Sequence, residues 1–135
     1  MAIVDYFVRH PRRLIRLDAA GAFISAVSNG LVLPFFTDKL GVPAEMLHTL
    51  SGMATAVFII GFFKGAGDAE PGFLRVLTVL NVSYCVLVLW LTLTHAAAIT
   101  DLGWLVLGGE VVIVLSLAAI EFAAFRRTRN QGQLA

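Results

Sequence analysis

The sequence predicts an all-α integral membrane protein, a four-helix antiparallel bundle with both termini cytoplasmic. Composition and the lengths of the apolar runs predict the class, and the placement of basic residues predicts the orientation. Apolar side chains make up 59% of 135 residues and charged ones 14%, with a mean hydropathy of +0.86. A soluble domain is nearer half apolar and a quarter charged. These figures exclude disorder, a nucleic-acid module and an ordinary cytosolic enzyme. The net charge of +1 carries no information.

The apolar residues gather in four stretches, 19–37, 46–63, 76–100 and 102–120. Each comes close to the ~20 residues that cross a ~30 Å hydrocarbon core. Backbone groups in lipid must pair internally, so each stretch is expected to be a helix. Strand-like alternation is missing, which argues against a membrane barrel. One domain with spans at about 14–36, 44–64, 73–95 and 101–125 follows.

The elements follow in order. Residues 1–10 hold Ile3, Val4, Tyr6, Phe7 and Val8 ahead of Pro11, and suit a short interfacial helix or a loose tail. Arg12-Arg13 reads as a positive anchor rather than a twin-arginine signal, because the apolar run is long and further spans follow. Pro34 is expected to kink or end the first span. Gly41 and Pro43 suit a turn and a helix start, and Pro71 lies near the next helix's first turn. Asp101 is expected to cap the fourth helix. Short connections make successive helices antiparallel neighbours.

Orientation comes from the basic residues. Arg9, Arg12, Arg13, Arg16, Lys64, Arg75, Arg126, Arg127 and Arg129 fall on one side of the four spans, and Lys39 alone on the other. Trp90 and Trp104 fall near the face opposite the basic one, as interfacial rings prefer.

Helical spacing then sorts the polar residues onto faces. Asp18, Gly21, Ser25 and Asn29 share one face of the first span, and His48, Ser51, Gly52 and Thr55 one face of the second. Arg75, Thr78, Asn81 and Cys85 form a stripe on the third, with Tyr84 beside it. Glu110 and Glu121 point the same way on the fourth.

Glu110 is the leading functional residue. A deep, unpaired carboxylate costs ~3 kcal/mol or more, so it is expected to be protonated, hydrogen-bonded or facing water. Tyr84 and Asn81 are its expected partners. Asp18 is expected to pair with Arg16 or Arg75 at the wet boundary, and Glu121 to anchor with Arg126. Gly21, Ser25 and Asn29 read as a close-packing face, with an interhelical hydrogen bond from Asn29. Cys85, the lone cysteine, reads as a small packing residue, and it cannot form an internal disulfide. His48 and His95 read as interfacial polar groups, since the other ligands of a closed metal site are not evident. No Ser–His–Asp grouping, phosphate loop or paired-carboxylate hydrolase motif is visible. No enzymatic activity, cofactor or metal is therefore expected.

Residues 16–22 (Arg-Leu-Asp-Ala-Ala-Gly-Ala), 81–85 (Asn-Val-Ser-Tyr-Cys) and Gly109-Glu110 resemble segments of a group of small uncharacterised four-span bacterial inner-membrane proteins. The resemblance implies a bacterial origin and the four-span layout, picks out Asp18, Gly21, Asn81, Tyr84 and Glu110 together, and supplies no activity. In size and in having one deep glutamate the chain is also similar to small multidrug exporters, although those carry it in the first helix and this chain in the fourth. Two functions are expected. The first is a non-enzymatic interaction or accessory subunit in the lipid bilayer, as a homo-oligomer or within a larger membrane complex and without nucleic acid. The alternative is a small proton-coupled transporter or channel, dimeric if the pathway needs enclosing, that uses Glu110.

Overall fold

The computed structural model describes residues 2–67 and 72–134, apart from the side chain of Ala66, and every described element is helical. Helix α1 spans Ala2–Arg9, α2 Pro11–Val27, α3 Thr37–Leu40, α4 Ala44–Ala66, α5 Gly72–Thr94 and α6 Asp101–Leu134. The segments Pro11–Leu40, Ala44–Gly65, Gly72–Thr94 and Asp101–Leu134 are each long and apolar enough to cross a membrane. The chain therefore has the four helices of a multi-pass membrane protein. The expected position of Pro71 in a helix's first turn lies outside the described residues.

The first span is not a continuous α-helix. Between α2 and α3, Ser28–Val32 widens into a π-helical turn and Leu33–Phe36 tightens into a 3-10 turn. Pro34 causes both. It has no N–H to donate, and its ring displaces the carbonyl one turn earlier, so the backbone changes pitch there. The Leu33 N–H reaches back to the Ser28 carbonyl, five residues away. The backbone thus changes helical pitch before and through the proline without ending the span, which runs on to Leu40.

Helix α2 packs closely on α4, and α5 on α6, while the two pairs meet more loosely. The close approaches between α2 and α4 use glycines on α4 and the π turn. A Cβ on Gly61 would sit 3.2 Å from Ala19 Cβ, and one on Gly30 would crowd Ser51, whose hydroxyl donates to the Ala26 carbonyl at 2.7 Å. This corrects the packing face expected at Gly21 and Ser25. A Cβ on Gly21 would meet only Leu117, at an ordinary 3.7 Å, and both residues line a cavity instead. The reason is the loose contact between the pairs, which leaves that face of α2 without a helix pressed against it.

Two apolar cores form. One gathers Leu40, Val42, Leu47, Leu50, Val88, Ile99 and Leu107 at the end away from the termini, and the other Phe7, Leu14, Ile15, Leu74, Leu77 and Ala124 at the termini. At the far end the first and third connections are tied together. The Thr100 N–H donates to the Leu40 carbonyl at 3.0 Å, and its hydroxyl to the Lys39 carbonyl at 2.6 Å. Gly41 turns the chain there with a φ of 67°, a region that favours glycine. The Gly103 N–H donates to Thr100 Oγ1 at 3.2 Å, so Thr100 caps α6 in place of the expected Asp101. At the termini, α1 is a helix with Val4 and Phe7 buried, and Asp5 pairs with Arg127 of α6.

Candidate functional site

The polar residues of the spans resolve into two clusters along one cleft. The upper cluster joins the first, third and fourth spans. Tyr84 Oη donates to Glu110 Oε1 at 2.7 Å, and Asn29 Nδ2 donates to the same oxygen at 3.0 Å and to Tyr84 Oη at 3.1 Å. Asn29 is brought there by the π turn. Tyr84 and Asn29 are buried, while Glu110 is half-buried. A carboxylate in lipid needs such donors to offset the loss of water.

The lower cluster lies closer to the termini and joins the same three spans. Asn81 Nδ2 donates to Asp18 Oδ1 at 2.7 Å and to Glu121 Oε2 at 3.1 Å. Asp18 is 2% exposed, Asn81 5% and Glu121 0%. Three expectations are corrected here. Asn81 does not reach Glu110, because it sits three residues before Tyr84 and so about one turn, ~5 Å, nearer the termini. Asp18 pairs with Asn81 rather than with Arg16 or Arg75, both of which are exposed. Glu121 faces the interior rather than the boundary, and Arg126 instead lies over the Phe122 ring, 5.9 Å from its centre.

The cleft between the helix pairs has a volume of about 440 Å³. Asp18, Asn81, Tyr84 and Glu110 supply polar groups, and Gly21, Ser25 and Gly109 leave it room. Its apolar wall includes Ile24, Val57, Ile113 and Leu117. No Lys, Arg or His lines it among the described residues. Its chemistry is therefore that of a greasy slot with carboxyl groups at two depths. Such a slot accepts a proton, a cation or a hydrogen-bond donor, and disfavours an anion.

His48, His95 and Cys85 do not line the cleft. His95 Nδ1 lies 2.9 Å from the carbonyl of Leu91 in its own helix, and His48 is exposed. Cys85 is buried with its sulfur 3.9 Å from the Val111 carbonyl, an ordinary packing contact. Among the described residues no group of three His, Cys, Asp or Glu gathers as metal ligands. Sequence reasoning missed the role of Glu121. Its eleven-residue spacing from Glu110 was the available signal, since that spacing places both on one helix face.

No family model matches the chain, and neither a curated protein nor a solved structure is detectably similar to it.

Proposed function

We propose that the chain is a small, non-enzymatic carrier of the bacterial inner membrane that binds a small ligand in its cleft and couples its movement to a proton through Glu110. It sits as an antiparallel four-helix bundle with both termini cytoplasmic, in keeping with the basic residues concentrated beside the termini. The resemblance to small bacterial inner-membrane proteins supports the choice of membrane. The observation that carries the reading is the cleft, about 440 Å³ and mostly apolar, with Glu110 on its wall. Ligand sites are commonly ~300–1,000 Å³, apolar, and provided with a few placed polar groups. Tyr84 and Asn29 hold Glu110 Oε1 in position, so a ligand meets a carboxyl of fixed geometry.

The test is proton flux in reconstituted liposomes. Wild-type protein is expected to discharge an imposed proton gradient faster than empty liposomes do, and Glu110→Gln no faster than empty ones. Equal discharge by the two proteins contradicts the role given to Glu110.

A second reading, an accessory or homo-oligomeric membrane subunit, has its own support. Gly52 and Gly108 are exposed, and a Cβ on either would meet nothing within 4 Å. Smooth glycine surfaces let a helix of another chain approach closely in lipid. Under this reading a disulfide forms between copies of Gly108→Cys in membranes, and Gly108→Leu prevents association.

A further inference from the structure

The lower cluster poses a charge problem that its hydrogen bonds do not solve. Asp18 and Glu121 both bond one amide nitrogen, within 3.1 Å of it, and both are buried. Neither bonds a basic residue among the described ones. Of the Lys and Arg residues on the surrounding elements, Arg12, Arg13 and Arg16 of α2, Lys64 of α4, Arg75 of α5, and Arg126 and Arg129 of α6 are exposed, and the half-buried Arg127 of α6 pairs with Asp5. Two adjacent negative charges in dry surroundings repel and lose their hydration together. A single Asn amide has two hydrogens and no charge, so it cannot neutralise them.

A second, independent feature points to something missing. Asp18 Oδ2 is buried and meets no hydrogen-bond donor among the described residues, while the Asp18 and Glu121 carboxyl groups lie within hydrogen-bonding reach of each other. A buried carboxyl oxygen left bare is costly unless it carries or contacts a positive charge. Asp18 lines the cleft, whereas Glu121 does not. Among the described residues, the only other titratable ones on the cleft wall are Tyr84 and Glu110, in the upper cluster.

We infer that Asp18 and Glu121 hold one proton between them across Asn81, and that this proton exchanges with water by way of the cleft. One proton leaves the pair with a single negative charge, which the Asn81 amide bonds on both sides. On release the carboxyl O–H bond breaks, the electron pair stays on oxygen, and the proton passes to water in the cleft beside Asp18. The site adds a second proton-binding group to the proposed carrier, and it stands even if Glu110 carries no flux.

Infrared spectroscopy of the protein in liposomes tests it without any ligand. At neutral pH a carbonyl band of a protonated carboxylic acid is expected in wild type and in Glu110→Gln. It should vanish when the double variant Asp18→Asn, Glu121→Gln is made in the Glu110→Gln chain. In heavy water the band should shift, and the shift should be several-fold slower in Ser25→Leu, which fills the cleft. If the double variant does not fold, heavy-carbon labelling of aspartate and of glutamate assigns the band in the wild-type chain. A spectrum with no such band, or a band from neither residue type nor the double variant's missing carboxyls, overturns the shared proton. A band that exchanges equally fast with the cleft filled, or never exchanges, overturns the exchange route.

Discussion

At the scale of single residues, the fold depends on a few hydrogen bonds made between spans. Tyr84→Phe removes a donor to Glu110 Oε1 and an acceptor for Asn29. It is expected to cost ~1–3 kcal/mol, the range for leaving a buried polar partner unpaired. Asn81→Leu should cost more, since it strips two carboxyl groups of their shared donor at once. Unfolding of the purified protein in mixed micelles measures both, and a smaller loss in Asn81→Leu than in Tyr84→Phe would contradict the arrangement. Spacing within each span was enough to single out Asp18, Asn81, Tyr84 and Glu110. It was not enough to pair them. Helical periodicity gives the direction of a side chain from its own axis, while pairing depends on the relative height of neighbouring helices. The offset of about one turn between Asn81 and Tyr84 is what separates the two clusters.

At the scale of elements, the chain uses backbone irregularity to place polar groups. The π turn at Ser28–Val32 sets Asn29 against Glu110, and it exists because Pro34 follows. Pro34→Ala is expected to let the first span relax toward a regular α-helix and to loosen Asn29 from Glu110. Amide hydrogen exchange at residues 28–34 should then slow, and unchanged exchange would show that the turn has another cause. The knot between the first and third connections makes a second case. A Cβ on Gly103 would overlap the Leu40 carbonyl, whereas one on Gly108 meets open space. Gly103→Ala should therefore destabilise by ~1–3 kcal/mol, as overpacking does. Gly108→Ala should be neutral or stabilising by up to ~1 kcal/mol through its helix propensity. Equal effects in the two would contradict the contact. Pro34 announced itself in the sequence, but the knot did not. Thr100, Gly103 and Leu40 are ordinary residues whose meeting depends on two distant connections reaching the same end.

At the scale of the whole molecule, composition and run length were sufficient for the class. An apolar fraction of 59% and four long runs leave little choice but membrane-crossing helices. What they could not give is how tightly each pair of helices meets. Close contact within the two pairs and looser contact between them is what opens the cleft. Helix α6, at 34 residues, is about 51 Å long and exceeds the hydrocarbon core, so its end projects to meet α1. With cytoplasmic termini, Lys39→Cys is expected to react with a membrane-impermeant thiol reagent in intact cells, and Asn130→Cys only after the cells are opened. The reverse pattern would invert the orientation.

The account turns on the cleft being a working, water-reachable space inside the membrane. Reaction of Ser25→Cys with a small, charged thiol reagent in liposomes tests this most directly, in a Cys85→Ser background. Ser25 lines the cleft, while Val112 is an exposed residue on α6 outside it. The account predicts that Ser25→Cys is labelled at least tenfold faster than Val112→Cys, and that Gly109→Leu, which narrows the cleft, suppresses the difference. Equal and negligible labelling at both positions would mean that the space is filled by lipid or by a partner helix, and would contradict a carrier.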